Sequence, residues 1–450
     1  MRQICLFACA GSVVAAGCLV DGSAQAPSDS SSGSATGNGT GATSMQGFGG
    51  SGLGKGGANG SNGGGNTGTG GASQNSGGSG GPGGKSGGKG GGNGVDTGAG
   101  SGETNPGVGS GFFPASLLPS HAKTAYADWK ARYFVSCGAG QARVALDRAG
   151  GGKREQTVSE GIGYGMLLTV GHGDQADFDA LWAYYKAHSS NGLMGWQVNG
   201  CGGVQDPNAA TDADLDAAMA LIQAGCKWGG NYLGEAQTLI AAIKSQETTD
   251  GGEAFLKPAP SGLDGCQNVS YYAPGYYRAF AKAKPDQAGF WNKLASDSYT
   301  QLLRADDGGT GLVPNWSTTG GSAGCGNKDF GDRYGYDAAR TPWRFATDYV
   351  WYGTPAAKDW LDRLVNWVDG PAGGILSIGD MYTLSGTKES ANHNSTFTGG
   401  FALAAMAHSQ AKADQYGTAF RAISDGAYFE ESLRAVYMLL AAGLFAPACN

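Results

Sequence analysis

Helical periodicity is the feature that most constrains the fold of this chain of 450 residues. Apolar side chains recur three and four positions apart in many separate stretches, whereas few stretches alternate as strands do. Successive antiparallel helices bury their apolar faces by stacking in paired layers. The sequence therefore predicts an all-α domain with eleven helices, near residues 121–134, 160–172, 174–188, 212–226, 232–247, 273–283, 287–304, 337–350, 355–368, 395–411 and 428–443.

Composition confines these helices to the C-terminal part of the chain. From Gly22 to Gly111 the sequence is mostly Gly, Ser, Asn and Thr, and all ten Trp and all nineteen Tyr lie beyond residue 111. So little apolar surface cannot offset the conformational entropy of a folded segment. We therefore predict a flexible linker over 19–111 and one large domain over 112–450, long enough to enclose a sizeable core.

The N-terminus has the pattern of a secretory signal over residues 1–18. One positive charge precedes a short apolar run, so we expect export. Ala15-Ala16-Gly17-Cys18 resembles a bacterial lipoprotein box, whereas a cut after Ala24-Gln25-Ala26 would place Pro27, which signal peptidase handles poorly, at the first mature position. The prediction is a lipid anchor at Cys18, with the domain on the outer surface or extracellular.

Cysteines and charge restrict the partners. Without Cys5, Cys9 and Cys18 an even six remain, which in an exported domain predicts up to three disulfides whose pairing stays open. These six are Cys137, Cys201, Cys226, Cys266, Cys325 and Cys449. No C-x-x-C spacing or histidine cluster points to a metal, and a net charge of −7 argues against nucleic acid. We expect a monomer without a cofactor.

Three aspartates crowd the start of the helix predicted near 212–226. Thr211 is placed to cap this helix by accepting from the amide of Asp214, and the helix dipole favours carboxylates there. The stretch from Ala210 to Trp228 reads A-T-D-A-D-x-x-x-A-x-A-L-I-x-A-x-x-x-W. It resembles, position by position, the motif of glycoside hydrolase family 8, whose members are inverting enzymes that cut β-1,4-linked polysaccharides. The resemblance implies an (α/α)6 barrel.

The same motif implies a role for Asp212. In the family the first Asp is the active-site residue, so we expect Asp212 to hold the distorted sugar at the cleavage point. Asp214 is expected to serve the helix cap. That assignment rests on the family motif alone, and Asp214 remains the alternative contact to the sugar.

A second acidic site lies in Ser159-Glu160-Gly161-Ile162-Gly163-Tyr164-Gly165-Met166. Each glycine costs a helix up to ~1 kcal/mol relative to alanine, so something must require close backbone approach there. The run resembles the family's S-E-G-x-x-Y-G-M, which implies that Glu160 is the general acid. Burial against apolar walls would raise its pKa and keep it protonated. The structural alternative is that Ser159 caps a helix and Glu160 only favours its dipole.

The third acidic site is the run Tyr336-Asp337-Ala338-Ala339-Arg340-Thr341-Pro342-Trp343-Arg344. It resembles the Y-D-A-x-R-x-P-W-R of the cellulase-like subfamily, where the Asp is the general base. We therefore expect Asp337 to activate water, with Arg340 on the same helical face holding it ionised. Taken alone, the run would favour a structural Asp–Arg pair that opens a helix, but three motifs in family order reverse that preference.

Aromatic residues between these motifs are the candidates for binding sugar rings. Trp196 lies in a segment that resembles the family's L-M-x-W, where the Trp stacks on a sugar. The further substrate-binding candidates are Tyr271, Tyr272, Tyr336, Asp214 and Arg340. Trp316 follows another family-like segment, and the sequence does not decide between packing and binding.

The combined prediction is an exported endo-β-1,4-glucanase that uses Glu160 as acid, Asp337 as base and Asp212 to hold the sugar. Xylanases of the family share these motifs and remain the alternative. A surface glycan-binding barrel without turnover is a further alternative, but such a protein would not need the three acidic motifs. Chitosan is disfavoured as substrate because the chitosan-cleaving subfamily lacks the Asp of Y-D-A-x-R.

Overall fold

The computed structural model describes residues 109–306, 309–325 and 330–447. The predicted signal, the lipid anchor at Cys18 and nearly all of the predicted linker lie outside these residues, as does Cys449. The described residues belong to one compact unit. Within them, no helix combines the length and the apolar composition needed to cross a membrane.

The described residues form twelve α-helices, which confirms the all-α prediction. They are α1 (Pro119–Tyr133), α2 (Ser159–His172), α3 (Gln175–Ala187), α4 (Thr211–Trp228), α5 (Tyr232–Glu247), α6 (Pro274–Ala283), α7 (Ala288–Ala305), α8 (Thr341–Tyr352), α9 (Pro355–Asp369), α10 (Ser395–Ala405), α11 (Gln410–Arg421) and α12 (Tyr428–Ala441).

The twelfth helix, which the periodicity did not reveal, is α11. The prediction of one helix over 395–411 was wrong, because α10 ends at Ala405 and a new helix begins after Ser409. The Ser409 hydroxyl accepts from the backbone N–H of Lys412 and caps α11. The buried stripe of α11 includes small residues such as Ala413 and Gly417, so its apolar periodicity is weak in the sequence.

The helices are arranged as two concentric rings. Helices α2, α4, α6, α8, α10 and α12 each contact the next, and α12 returns to α2 to close the inner ring. The odd-numbered helices pack on the outside of this ring. All residues of α10 are buried, as expected for a helix surrounded on every side. This is the (α/α)6 barrel, and that prediction is confirmed.

Short antiparallel strands connect the helices at their ends. They are β1 (Phe134–Gly138), β2 (Gln141–Val144), β3 (Gln156–Val158), β4 (Ser189–Ser190), β5 (Leu193–Asn199), β6 (Val204–Ala209), β7 (Thr248–Thr249), β8 (Phe255–Leu256), β9 (Cys266–Gln267), β10 (Ser317–Thr318), β11 (Met381–Tyr382) and β12 (Lys388–Ser390).

One small sheet places the beginnings of α2 and α4 side by side. Strand β5 pairs with β3, β4 and β6, with Val158 opposite Gln197 and Ala209 opposite Gly195. Strand β3 runs directly into α2, and β6 ends two residues before α4. The first turns of these two inner helices, which carry two of the three acidic motifs, are therefore held together.

The glycines of α2 lie where neighbouring groups approach closely. A Cβ on Gly163 would lie 3.0 Å from the Cβ of Asp216 and 3.1 Å from the carbonyl oxygen of Ala213, both on α4. A Cβ on Gly161 would lie 2.7 Å from the hydroxyl of Tyr428. The close approach that the sequence predicted is present, and it lets α2 and α4 meet at the centre of the barrel.

We expect Gly163→Ala to lower the free energy of unfolding by about 1–3 kcal/mol, because the added methyl group overpacks the α2–α4 contact. This cost exceeds the gain of up to ~1 kcal/mol in helix propensity. Urea unfolding followed by circular dichroism measures the change. Gly289→Ala on α7 is the control, since a Cβ there meets nothing within 4 Å. If Gly163→Ala is as stable as this control, the two helices do not require the glycine.

Disulfides join segments distant in sequence. Cys137 bonds to Cys201 and Cys266 bonds to Cys325, with sequence separations of 64 and 59 residues. Cys226 is disulfide-bonded as well. The cysteine pattern predicted cross-links of this kind without indicating which cysteines pair.

Candidate active site

Three carboxyl groups converge on one arginine at the centre of the barrel. Glu160 and Asp212 lie in the first turns of α2 and α4, and Asp337 and Arg340 lie at the short helical turn that precedes α8. Nη1 of Arg340 is 2.8 Å from Oε2 of Glu160 and 2.7 Å from Oδ2 of Asp212. Nη2 is 2.8 Å from Oδ1 of Asp337. We call these four residues the Arg340 cluster.

Burial determines which group in this cluster carries a proton. Three carboxylates around a single guanidinium would leave excess negative charge in a region screened from water, which is costly. Burial raises the pKa of Glu160 to about 8, against the opposing effect of Arg340, while Asp212 and Asp337 raise it further. Burial raises the pKa of Asp212 to about 6. Of these two carboxyls, Glu160 has the higher pKa and is the one favoured to carry a proton.

Asp337 is held as a hydrogen-bond acceptor on both oxygens. Its Oδ1 contacts Arg340, and its Oδ2 accepts from the indole N–H of Trp316 at 3.0 Å. The Asn315 side chain fixes the adjoining turn, since its Oδ1 accepts from the amides of Gly335 and Ala338. Asp337 therefore accepts from two side-chain donors, one on each oxygen. The side chain is 12% exposed, the largest fraction among the three carboxyls.

Sequence reasoning left the role of Trp316 open and did not single out Asn315. The structure shows Trp316 buried, with its N–H directed at Asp337. The sequence offered only the family-like segment around these two residues, because Asp337, Gly335 and Ala338, which they contact, lie twenty or more positions later in the chain. Only the fold brings them together.

A second ion pair lies one helical turn away from the Arg340 cluster. Asp216 follows Asp212 by four residues on α4, and Arg344 follows Arg340 by four at the start of α8. The two side chains are fully buried, with Nη2 of Arg344 2.9 Å from Oδ2 of Asp216. The guanidinium of Arg344 also stacks on Trp343, 3.9 Å from the ring centre. Removing one partner of such a buried pair would leave an uncompensated charge beside the cluster.

Two of the predicted tyrosines border the cluster. The guanidinium of Arg340 lies 5.3 Å from the ring centre of Tyr271 and 6.0 Å from that of Phe429. Tyr336 packs on Phe429 with ring centres 5.9 Å apart and donates to Asp380 at 2.8 Å. Tyr336 is only partly buried. Tyr271 and Tyr336 thus form aromatic walls near the acidic groups.

Other predicted residues have different surroundings. Tyr272 is buried and donates to Gln267 at 2.9 Å, so it secures a loop and does not join the Arg340 cluster. Trp196 lies in β5 with 5% of its surface exposed. Asp214 is fully buried, and its Oδ1 accepts from the hydroxyl of Tyr185. Of the two aspartates left open by the motif, only Asp212 contacts Arg340.

The predicted caps of α4 were wrong. No side chain caps this helix, which begins after Ala210, so neither Thr211 nor Asp214 serves as its cap. Thr211 is already the first residue of the helix, and its hydroxyl donates to the carbonyl of Lys257 at 2.7 Å. The alternative cap of α2 by Ser159 is absent too, since that residue lies inside the helix.

Arg340 occupies the space in which the three carboxyls meet. Within the described residues, no group of three or more His, Cys, Asp or Glu side chains is arranged to hold a metal ion. The arrangement does place Glu160, whose pKa is raised, on one nitrogen of the guanidinium with Asp212, and Asp337 on the other. A pair such as Glu160 and Asp337 can donate a proton to one atom of a substrate and accept a proton from a water near another.

Comparisons with known proteins agree with this geometry. The chain is 38% identical over 337 residues to a protein named endoglucanase 2 from Ruminiclostridium josui, which covers 72% of this chain and 71% of that protein. It is 36% identical over 336 residues to endoglucanase C from Ruminiclostridium cellulolyticum, with the same coverage.

Solved structures show the same architecture. The apo structure of a β-1,3-1,4-glucanase from Paenibacillus sp. X4 aligns with a TM-score of 0.70 at 27% identity, covering 76% of this chain and 97% of that one. A reducing-end xylose-releasing exo-oligoxylanase aligns with a TM-score of 0.63 at 20% identity, covering 75% and 97%, and shows likeness of fold only. The model of the glycosyl hydrolases family 8 matches residues 114–443, which include the whole Arg340 cluster, and the chain therefore belongs to this family.

Proposed function

We propose that this protein is an inverting endo-β-1,4-glucanase. The observation that carries the proposal is the Arg340 cluster, where burial raises the pKa of Glu160 to about 8 and Asp337 is held by two donors. Glu160 and Asp337 contact different nitrogens of one guanidinium, Nη1 and Nη2. An inverting enzyme needs roughly 6.5–9.5 Å between its two carboxyls to leave room for the attacking water.

The reaction follows from these positions. Glu160 gives its proton to the glycosidic oxygen as the bond from that oxygen to the anomeric carbon breaks. Water attacks the anomeric carbon from the opposite face, and Asp337 takes the proton that this water loses. A β-linkage thus yields an α-hydroxyl. Asp212, buried and hydrogen-bonded to Arg340, holds the sugar at the cleavage point.

The relatives favour glucan as the substrate. Two relatives at 36–38% identity carry the name endoglucanase. The xylan-related structures are less similar, at about 20% identity. Glucose differs from xylose by a CH2OH group, so one bulky residue in the cleft would suffice to change the preference without altering the acidic motifs. Export, with a lipid anchor at Cys18, would place the enzyme where polysaccharides are found.

The stereochemistry of hydrolysis tests the mechanism. We expect α-anomers to appear first when cello-oligosaccharides are cleaved, because water attacks opposite the leaving group. Proton NMR during the first minutes distinguishes the anomers before they equilibrate. Initial β-anomers would show a retaining mechanism and remove the proposed role of Asp337.

A substrate panel tests the specificity separately. We expect reducing sugars to be released from carboxymethylcellulose and barley β-glucan, with much slower release from xylan and chitosan. The same enzyme preparation serves for all four polymers. Strong activity on xylan alone would make the protein a xylanase and leave the assignment of acid and base unchanged.

A further inference from the structure

A second pair of carboxyl groups lies beneath the start of α4. Asp214 and Glu247, the last residue of α5, are both 0% exposed, and their carboxyl groups are within hydrogen-bonding reach of each other. Asp214 is two residues beyond Asp212. This pair belongs to neither the Arg340 cluster nor the Asp216–Arg344 ion pair.

Two ionised carboxylates cannot form this contact, because neither has a proton to donate. Oδ2 of Asp214 and both oxygens of Glu247 are buried, and no donor among the described residues reaches them in good hydrogen-bond geometry. The groups facing the pair are Tyr185 from α3, Asp212 and the hydroxyl of Thr211 from α4, and the backbone amide of Met194 from β5. No cationic side chain in the described part forms a salt bridge with it. One shared proton satisfies the contact and removes one of two buried charges.

The electrostatics agree with a shared proton. Burial raises the pKa of Asp214 to about 7. Burial raises the pKa of Glu247 well above its ordinary value, and the neighbouring Asp214 raises it further. The hydroxyl of Tyr185 donates to Oδ1 of Asp214 and stabilises its ionised form, so the shared proton resides mainly on Glu247.

Hydrogen bonds that involve the backbone also connect the start of α4 to the end of α5. The amide of Lys257 donates to the carbonyl of Glu247 at 2.8 Å, and the carbonyl of Lys257 accepts from the hydroxyl of Thr211 at 2.7 Å. The amide of Thr211 donates to the carbonyl of Pro258 at 3.2 Å. The first turn of α4 is therefore attached to the end of α5 by these backbone contacts on one side and by the carboxyl pair on the other.

We propose that Asp214 and Glu247 share one proton, and that this acid–carboxylate pair is a positioning device that holds Asp212 against Arg340. Neither residue touches the substrate. The inference rests on the proposed function in so far as Asp212 holds the sugar during hydrolysis. The shared proton itself does not depend on that role.

Three variants test the proposal on the full chain. Glu247→Gln keeps a donor toward Asp214, whereas Glu247→Leu removes it at similar size. Glu235→Gln, in the first turn of α5 and partly exposed, is the matched control. We expect Glu247→Leu to lower kcat on cello-oligosaccharides about 10–100-fold with KM within about threefold, because misplacing a reacting group by ~1 Å costs up to ~10²-fold. Glu247→Gln should stay within about threefold of the wild type.

Unfolding at several pH values supplies a readout that does not need hydrolysis. The folded state binds the proton of Glu247 more tightly than the unfolded state, so wild-type stability falls as pH rises above the ordinary pKa of a glutamate, ~4.3. Glu247→Gln cannot lose this proton. Its unfolding midpoint should therefore rise relative to the wild type as pH increases, and Glu235→Gln should follow the wild type.

The outcomes separate the two parts of the proposal. Wild-type kcat in Glu247→Leu would overturn the positioning role, and a pH dependence of Glu247→Gln identical to that of the wild type would overturn the shared proton. If Glu247→Leu does not fold, Glu247→Gln and the unfolding curves still decide on the proton. A wild-type enzyme that cleaves no β-glucan would contradict the proposed function alone.

Discussion

Glu160→Gln should reduce hydrolysis of cello-oligosaccharides by about 10²–10⁴-fold, the range attributed to general acid–base catalysis. The amide keeps the shape and the hydrogen-bonding capacity of the carboxyl but has no transferable proton. Affinity for the oligosaccharide should remain within a few-fold, since the residue acts on the transition state. Steady-state kinetics and calorimetric binding to the same oligosaccharide measure the two effects.

The result also distinguishes an enzyme from a glycan-binding barrel. If the wild type and Glu160→Gln bind equally and neither hydrolyses any β-1,4-glycan, the binding protein is the correct description. Glu389→Gln serves as control, because this partly exposed carboxylate pairs with Arg333 and does not belong to the Arg340 cluster. It should hydrolyse as the wild type does.

Glu160 also sets the expected pH dependence of hydrolysis. The acid must be protonated to act, and burial raises its pKa to about 8. Activity should therefore be lost as pH rises through about 8. Asp337 must be ionised, so the opposite limb lies at lower pH. A kcat/KM profile over the full range gives both limbs for the free enzyme.

Arg340→Met should be the most destabilising single change in the site. It leaves three buried carboxyl groups without their cation, and breaking a buried pair in this way costs about 3–5 kcal/mol. The carboxyl pKa values would rise further without the guanidinium, so the folded state would bind more protons than the unfolded one. The loss of stability should therefore be small at acid pH and grow as pH rises.

Urea unfolding at several pH values measures this difference, with Arg304→Met as the control. Arg304 pairs with Glu253 where the two side chains are 34% and 27% exposed, and an ion pair of that kind contributes about 0–1 kcal/mol. Equal effects of the two substitutions would mean that Arg340 does not hold the cluster together. Hydrolysis by Arg340→Met should fall by at least ~10²-fold, because all three carboxyls lose their position.

Local patterns in the sequence determined the helices and the acidic motifs. Apolar spacing located eleven of the twelve helices, because each inner or outer helix must carry its own buried face. The glycines at 161, 163 and 165 indicated a close approach, and the interval from Asp337 to Arg340 predicted their ion pair. These inferences succeeded because each sequence signal spans only a few residues, although the groups that approach the glycines come from distant segments of the chain.

The convergence of the site was decided by the tertiary structure alone. Arg340 meets Glu160 and Asp212 across 180 and 128 residues, and no local pattern encodes those distances. The closed inner ring brings the first turns of α2 and α4 against the turn before α8, and burial there raises the pKa of Glu160. The partner of Glu247, the donor from Trp316 and the pairing of the cysteines have the same origin. They depend on which chain segments the packed barrel makes neighbours, and this is a property of the whole fold.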